Sequence, residues 1–248
     1  MTLLTETIQA ITPQDQAWRD KAKNRLDQLT MPHWALGRLM DLALDLAGMT
    51  RSLNPPVSRR AVVVMAGDHG VVTEGISKFP QEVTPQMVGN FVNGGAGINA
   101  LASQAGARVV VVDMGVVGDL SALVRGGRIL DRKIAPGTAN LAAGPAMSLD
   151  QAVAALEAGI GVANDLAGEI DLFGTGDMGI GNTTPSAAIV ASVTGGSVES
   201  VTGRGTGLDD GQLDHKIRVI KKGLSVNRPD SGDGLDVLAK VGGFEIGG

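Results

Sequence analysis

The sequence predicts an α/β protein: a mainly parallel sheet with helices on both faces, preceded by a small helical region. Three observations predict it. Two short runs, 61–65 and 107–114, are rich in valine and apolar without alternation, as strands covered on both faces require. Longer segments with apolar residues at helical spacing stand before, between and after them. A glycine-rich stretch, 174–186, lies between an apolar run and a helical one, the arrangement of a strand-to-helix turn.

In chain order, residues 5 to 50 read as helices. Trp18, Ala22, Leu26 and Leu29 form one stripe, Leu36, Leu39, Ala43 and Leu46 another, and Thr30-Met31-Pro32 separates them. Each helix has one face to bury, against the rest of the chain or another subunit. Asn54-Pro55-Pro56 closes this section, so the expected domains are 1–58, helical, and 59–248, α/β. The first strand, Ala61 to Met65, ends in Ala66-Gly67-Asp68-His69-Gly70. Thr84 is placed to cap a helix starting at Pro85 and holding Met87, Val88 and Phe91. Gly94 to Gly97 breaks it, and a helix from Ile98 to Ala105 leads into the second strand, with Asp113 at its end. Leu130 to Gly144 is polar and irregular. Ser148 caps an amphipathic helix through Val153, Leu156, Ile160 and Ala163. Ile170 to Phe173 reads as a strand, residues 174–183 as a loop, Thr184 as an N-cap with Pro185 at the first helical position, and Ala187 to Ala191 as a buried helix. After a second glycine loop at 203–207, a helix runs over Leu213, Ile217, Ile220 and Leu224. Its His215, Lys216, Lys221 and Lys222 lie off the apolar stripe, the last two on a solvated face. Residues 241–248 carry no polar tail and no closing helix.

Composition narrows the function classes. The chain has 248 residues, 43% of them apolar, and a mean hydropathy of +0.14, so it can bury a substantial core. A net charge of −5, no Tyr, four Phe and two Trp leave neither the basic stripe nor the stacking platform of a nucleic-acid binder. No apolar run approaches the roughly 20 residues needed to cross a bilayer. Met1 to Gln16 lacks the basic region of a signal peptide. There is no Cys, hence no disulfide or thiolate chemistry. Only three His occur, none with a second within ligand spacing, so no metal site is expected. A cytoplasmic location without membrane contact is the expectation.

The stretch Gly174-Thr175-Gly176-Asp177-Met178-Gly179-Ile180-Gly181-Asn182-Thr183-Thr184-Pro185 concentrates the candidate chemistry. Its glycines let backbone approach a ligand closely, and a helix N-terminus presents unpaired N–H groups that hold a phosphate or carboxylate. A plain capped βα turn would have the same spacing. Asp68 and His69 follow a strand's carboxyl end, where open α/β sheets gather their ligands. A turn cap with a bystander histidine fits the same residues, as does a phosphatase-type use of Asp68.

Four motifs occur together, in order: Ala66-Gly67-Asp68-His69-Gly70-Val71, Phe79-Pro80-Gln81-Glu82-Val83-Thr84, Gly176 to Pro185, and Gly203-Arg204-Gly205-Thr206-Gly207-Leu208. With them the chain resembles the nicotinate-nucleotide–dimethylbenzimidazole phosphoribosyltransferases, which make the lower-ligand nucleotide of cobalamin. The resemblance implies a Rossmann-like domain, a small helical domain, a homodimer, and neither metal nor redox cofactor. It implies transfer of phosphoribose from nicotinate mononucleotide to 5,6-dimethylbenzimidazole, giving α-ribazole 5′-phosphate and nicotinate. By resemblance, Gly176, Gly179, Ile180, Gly181, Asn182, Thr183 and Thr184 would surround the phosphate and ribose. Gly203, Gly205 and Thr206 would form the facing wall, with Lys216 near. Phe79, Met87 and Met178 would line an apolar slot for the benzimidazole. Asp177, where many family members carry Glu, would assist proton removal. The family's Glu-Gly-Thr-Gly motif, which carries its general base, does not occur in these 248 residues. The sequence-based expectation is therefore an open sheet edge that self-associates or needs a covering partner, with little or no transferase activity; the alternative is a catalytically impaired nucleotide-binding remnant of that family.

Overall fold

The computed structural model describes residues 2–248, in two compact units, 1–59 and 60–248. The first holds α1 (Leu3–Ala10), α2 (Gln16–Asp27) and α3 (Arg38–Thr50). Helices α2 and α3 are the two striped segments of the sequence. Asp15 caps α2 by accepting the Trp18 N–H at 3.3 Å, Ala22, Met40 and Ala47 are buried, and Arg19 pairs with Asp45. Leu36, Leu39 and Leu42 are exposed.

The second unit contains β1 (Arg60–Gly67), α4 (Val83–Val92), α5 (Gly97–Gln104), β2 (Ala107–Gly115), α6 (Ser121–Arg125), β3 (Leu130–Asp131), α7 (Leu149–Leu166), β4 (Leu172–Met178), α8 (Thr183–Thr194), α9 (Val198–Val201), α10 (Asp210–Asn227), α11 (Gly234–Val241) and α12 (Phe244–Gly247). All strand pairs are parallel, in the order β3-β2-β1-β4. Strand alternation divides the core. Val63, Met65, Val112 and Met114 pack on one face with Ala152, Ala155 and Val162 of α7, Leu238 and Ala239 of α11 and Phe244 of α12. Ala66 and Val111 point the other way, with Val88, Val116, Leu120 and Ile129. Helices α8 to α11 share a further cluster around Ala188, Ile220, Val237 and Val241. This is the expected α/β architecture.

Four local expectations are corrected. Strand β4 does not stop at Phe173 but runs to Met178, through the segment expected to be a loop. Gly174 and Gly176 pair in register with Val62 and Val64, whose side chains cover the ground a Cβ would reach. The hydrogen bonds of parallel pairing to β1 outweigh glycine's weak strand preference. Thr184 is not an N-cap: α8 begins at Thr183 after Asn182, and Thr184 is buried. Thr84 is likewise inside the first turn of α4, where it bonds across to another segment. Asp113 accepts from the N–H groups of Gly115 and Val116 at 3.1 and 2.9 Å and pairs with Lys133 at 3.1 Å, so it closes a turn. Residues 241–248 include the short helix α12, whose Phe244 is buried. Ser148 does cap α7 as expected, reciprocally with Gln151.

At the outer edge, Leu172 and Phe173 of β4 are exposed. Phe244 fills the layer between sheet and α7, so Phe244→Ala should destabilise the protein by about 3–5 kcal/mol, the cost of a large core cavity. Urea unfolding monitored by circular dichroism measures it.

Candidate active site

The carboxyl ends of β1 and β4 meet in one place. A Cβ on Gly179 would fall 2.0 Å from the Gly67 carbonyl oxygen and 3.2 Å from His69 Nε2, so only glycine allows this approach. Two residues on, Gly181 has φ +89°, and a Cβ there would also meet Val72 at 2.9 Å. The turn is tied down from both sides. Asn182 N–H bonds to the Gly179 carbonyl at 3.0 Å, Thr184 N–H to that of Gly181 at 2.9 Å, and Ile180 N–H to the Thr84 hydroxyl at 3.1 Å. That last bond is the use of Thr84 that capping logic missed.

Beneath the turn lie three titratable groups from two segments. Asp68, His69 and Glu245 are buried, and His69 Nε2 stands 2.8 Å from Glu245 Oε1. Asp68 Oδ2 accepts the Val117 N–H at 2.7 Å. Burial pushes the Asp68 carboxyl up, against the Thr84 hydroxyl, the Val117 N–H and the charge of His69, which favour its ionised form. Burial also works against a charged His69, but Glu245 beside it, with Asp68 and Asp177, outweighs that and raises its pKa. Asp68 bonds across to Val117 rather than capping its own turn, His69 is paired with Glu245, and Glu245 was not foreseen at all. An isolated Glu in an apolar tail, Phe244-Glu245-Ile246, was the available signal.

The turn's surface carries the groups that can reach a ligand. Asp177, at the end of edge strand β4, is exposed, and one of its oxygens accepts from the Asn182 side chain. Thr183 is exposed too, and its hydroxyl accepts from Lys216 Nζ at 2.7 Å. Lys216 comes from α10, is 1% exposed, and also approaches the Gly203 carbonyl at 3.5 Å. Desolvation lowers its pKa. Gly203, Gly205 and Thr206 lie on an exposed turn opposite, with Gly205 against the Thr183 hydroxyl and Lys216 Nζ. Beside Asp177 a cavity of about 350 Å³ is lined by Val63, Met65, Gly176, Ser186, Glu245 and Ile246.

The structure therefore joins Gly176, Asp177, Gly179, Ile180, Gly181, Asn182, Thr183, Gly203, Gly205 and Lys216 around one turn. Ile180 and Thr184 sit beneath the surface. Met178 packs into the core beside Ala66 and Val88, Met87 is half-buried on α4, and Phe79 is exposed on a separate loop.

With that geometry in view, comparison with known proteins is decisive. A phosphoribosyltransferase family model matches residues 11–248. The chain belongs to that family. It is 65% identical over its whole length to the nicotinate-nucleotide–dimethylbenzimidazole phosphoribosyltransferase of Syntrophotalea carbinolica and 60% identical to that of Desulfotalea psychrophila, covering 70% of each. The crystal structure of the enzyme so named from Thermus thermophilus superimposes with a TM-score of 0.84 at 46% identity, over 93% of this chain and 68% of that one.

Lys216 is buried with its ammonium on the hydroxyl of an exposed threonine, a placement that costs stability. A buried ammonium is costly, and an apolar group of similar length recovers that cost. Lys216→Met should leave the melting temperature unchanged or raised, while weakening binding of nicotinate mononucleotide about tenfold or more, a difference of at least ~1.4 kcal/mol. Differential scanning fluorimetry and titration calorimetry give the two readings.

Proposed function

We propose that this phosphoribosyltransferase binds nicotinate mononucleotide at the start of α8 and transfers its phosphoribosyl group to 5,6-dimethylbenzimidazole. The observation that carries the reading is the Thr183–Lys216–Gly205 assembly at the sheet's carboxyl end. The 5′-phosphate would take the Thr183 hydroxyl and the facing glycine turn, with the Lys216 charge behind them and the α8 dipole adding to it. Pro185 has no N–H and that of Thr184 is spent on Gly181, so side chains and the facing turn carry much of this contact.

In the reaction the bond between ribose C1′ and the pyridinium nitrogen breaks, and its electron pair leaves with nicotinate. A benzimidazole nitrogen forms the new bond to C1′. The proton on the other benzimidazole nitrogen must go to a base. As C1′ loses its leaving group it gains positive charge, and a fixed carboxylate nearby lowers the energy of that state. Asp177 is exposed at the strand end and oriented by Asn182, which suits it to that charge and to the proton, directly or through one water. The cavity beside Asp177, with Val63, Met65 and Ile246 as apolar walls, is the space we assign to the incoming base; Phe79, Met87 and Met178, the slot that the resemblance implies, lie outside its lining. A homodimer working in the cytoplasm belongs to the same reading.

Chromatography of a mixture of the protein with both substrates should show α-ribazole 5′-phosphate and nicotinate in equal amounts. Neither product, together with no calorimetric binding of nicotinate mononucleotide, would contradict the proposal. Asp177→Asn should lower kcat by about 10²–10⁴-fold with little change in KM, the scale of general acid–base assistance. Unchanged kcat would leave Asp177 a purely structural part of the turn.

A further inference from the structure

The His69–Glu245 pair lies directly under the α8 turn, with His69 against Gly179 and Glu245 at the wall of the cavity assigned above to the incoming base. The two side chains are 1% and 0% exposed. Oε2 of Glu245 occupies the space above two backbone positions: a Cβ on Gly67 would meet it at 2.9 Å and one on Gly243 at 2.6 Å. Neither carboxylate oxygen of Glu245 has a hydrogen-bond partner among the described residues, so the imidazole is what offsets its charge. The imidazole nitrogen that faces Glu245, Nε2, also stands 3.2 Å from where a Cβ on Gly179 would lie, and the His69 backbone bridges to Thr138. Three chain segments, the end of β1, the turn after β4 and α12, thus converge on one imidazole.

We propose that His69, paired with Glu245, is a positioning residue that holds the Gly179–Gly181 turn in its binding geometry while the imidazole carries its proton. The inference rests on the nucleotide site proposed above. An unpaired buried carboxylate is strongly unfavourable. When His69 loses its proton, the attraction that holds the pair together is lost and the pair relaxes. The ring then shifts against Gly179, which has no side chain to buffer the movement. The turn's remaining anchor, Ile180 N–H to Thr84, is on the far side and beside Asp68.

The charges acting on His69 from the surrounding elements are all carboxylates: Asp68 on its own segment, Asp177 on β4 and Glu245 on α12. Thr138 and the α8 turn add no titrating group, and Thr84 and Val117 bond to Asp68 without adding a charge. The direction follows. His69 holds its proton more tightly in the folded protein than the ordinary imidazole value of about 6.5, so its contribution is complete below that pH and is lost as pH rises through the raised value.

The chain's three histidines make the test tractable. Imidazole signals in the intact protein, with His69 assigned from His69→Gln, are followed from about pH 5 to 10 by heteronuclear NMR together with the amide signals of Gly179 and Ile180. The His69 ring should titrate above about 6.5, and the two amides should move with the same midpoint. Glu245→Gln should lower that midpoint. Nicotinate mononucleotide should bind on the order of tenfold more weakly above the midpoint than below it, one hydrogen bond's worth of positioning. The double variant His69→Gln/Glu245→Gln, which buries no charge, should fold and bind without that pH dependence. Amides that ignore the His69 titration, or an identical pH profile in the double variant, would overturn the inference. If the parent protein binds no nicotinate mononucleotide, the site assignment fails, and the amide shifts still decide whether the pair positions the turn.

Discussion

The backbone of Gly179 against the last carbonyl of β1 is the contact on which the site depends. Two parallel strands normally diverge into separate loops at their carboxyl ends. Here the chain leaving β4 crosses directly over the end of β1, at a separation that excludes even a methyl group. The positive φ of Gly181 then bends it into α8. Everything at the surface of the turn, from Asp177 to Thr183, takes its position from this crossing.

The polar groups beneath this crossing come from segments far apart in the chain. Asp68 reaches Val117, Thr84 reaches Ile180, and His69 reaches Glu245. Each contact joins a different segment to the same spot, where a strand end, two helices and a loop meet. Lys216 repeats the device from the other side, buried in order to fix one exposed hydroxyl. The energetic cost of burying these charges is consistent with a site whose selection is for geometry rather than for stability.

Much of this was legible in the sequence, and the parts that were not share a cause. The buried strands at 61–65 and 107–114 announce themselves because both faces are covered and valine fits there. The α7 start is legible because Ser148 and Gln151 act within one turn. Strand β4 was cut short because Gly174 and Gly176 look like loop residues until their distant partners Val62 and Val64 are known. Thr84 and Thr184 satisfy a local capping rule and are used otherwise, since tertiary contacts outweigh a cap worth about 1 kcal/mol. Of the site, the motif residues 176–183, Gly203, Gly205 and Lys216 could be named, the last only through family resemblance. Glu245 could not, because its meaning lies in a contact with His69, far back in the chain.

The measurement closest to the central claim is a crystal structure of the protein soaked with nicotinate mononucleotide. The account predicts phosphate density within about 3 Å of the Thr183 hydroxyl and the Gly203–Gly205 turn, a hydrogen-bonding separation, with the ribose over Gly179 and Gly181 and the backbone there unmoved. Nucleotide bound elsewhere on the sheet, or a turn at Gly179 that must rearrange to admit it, would contradict the account.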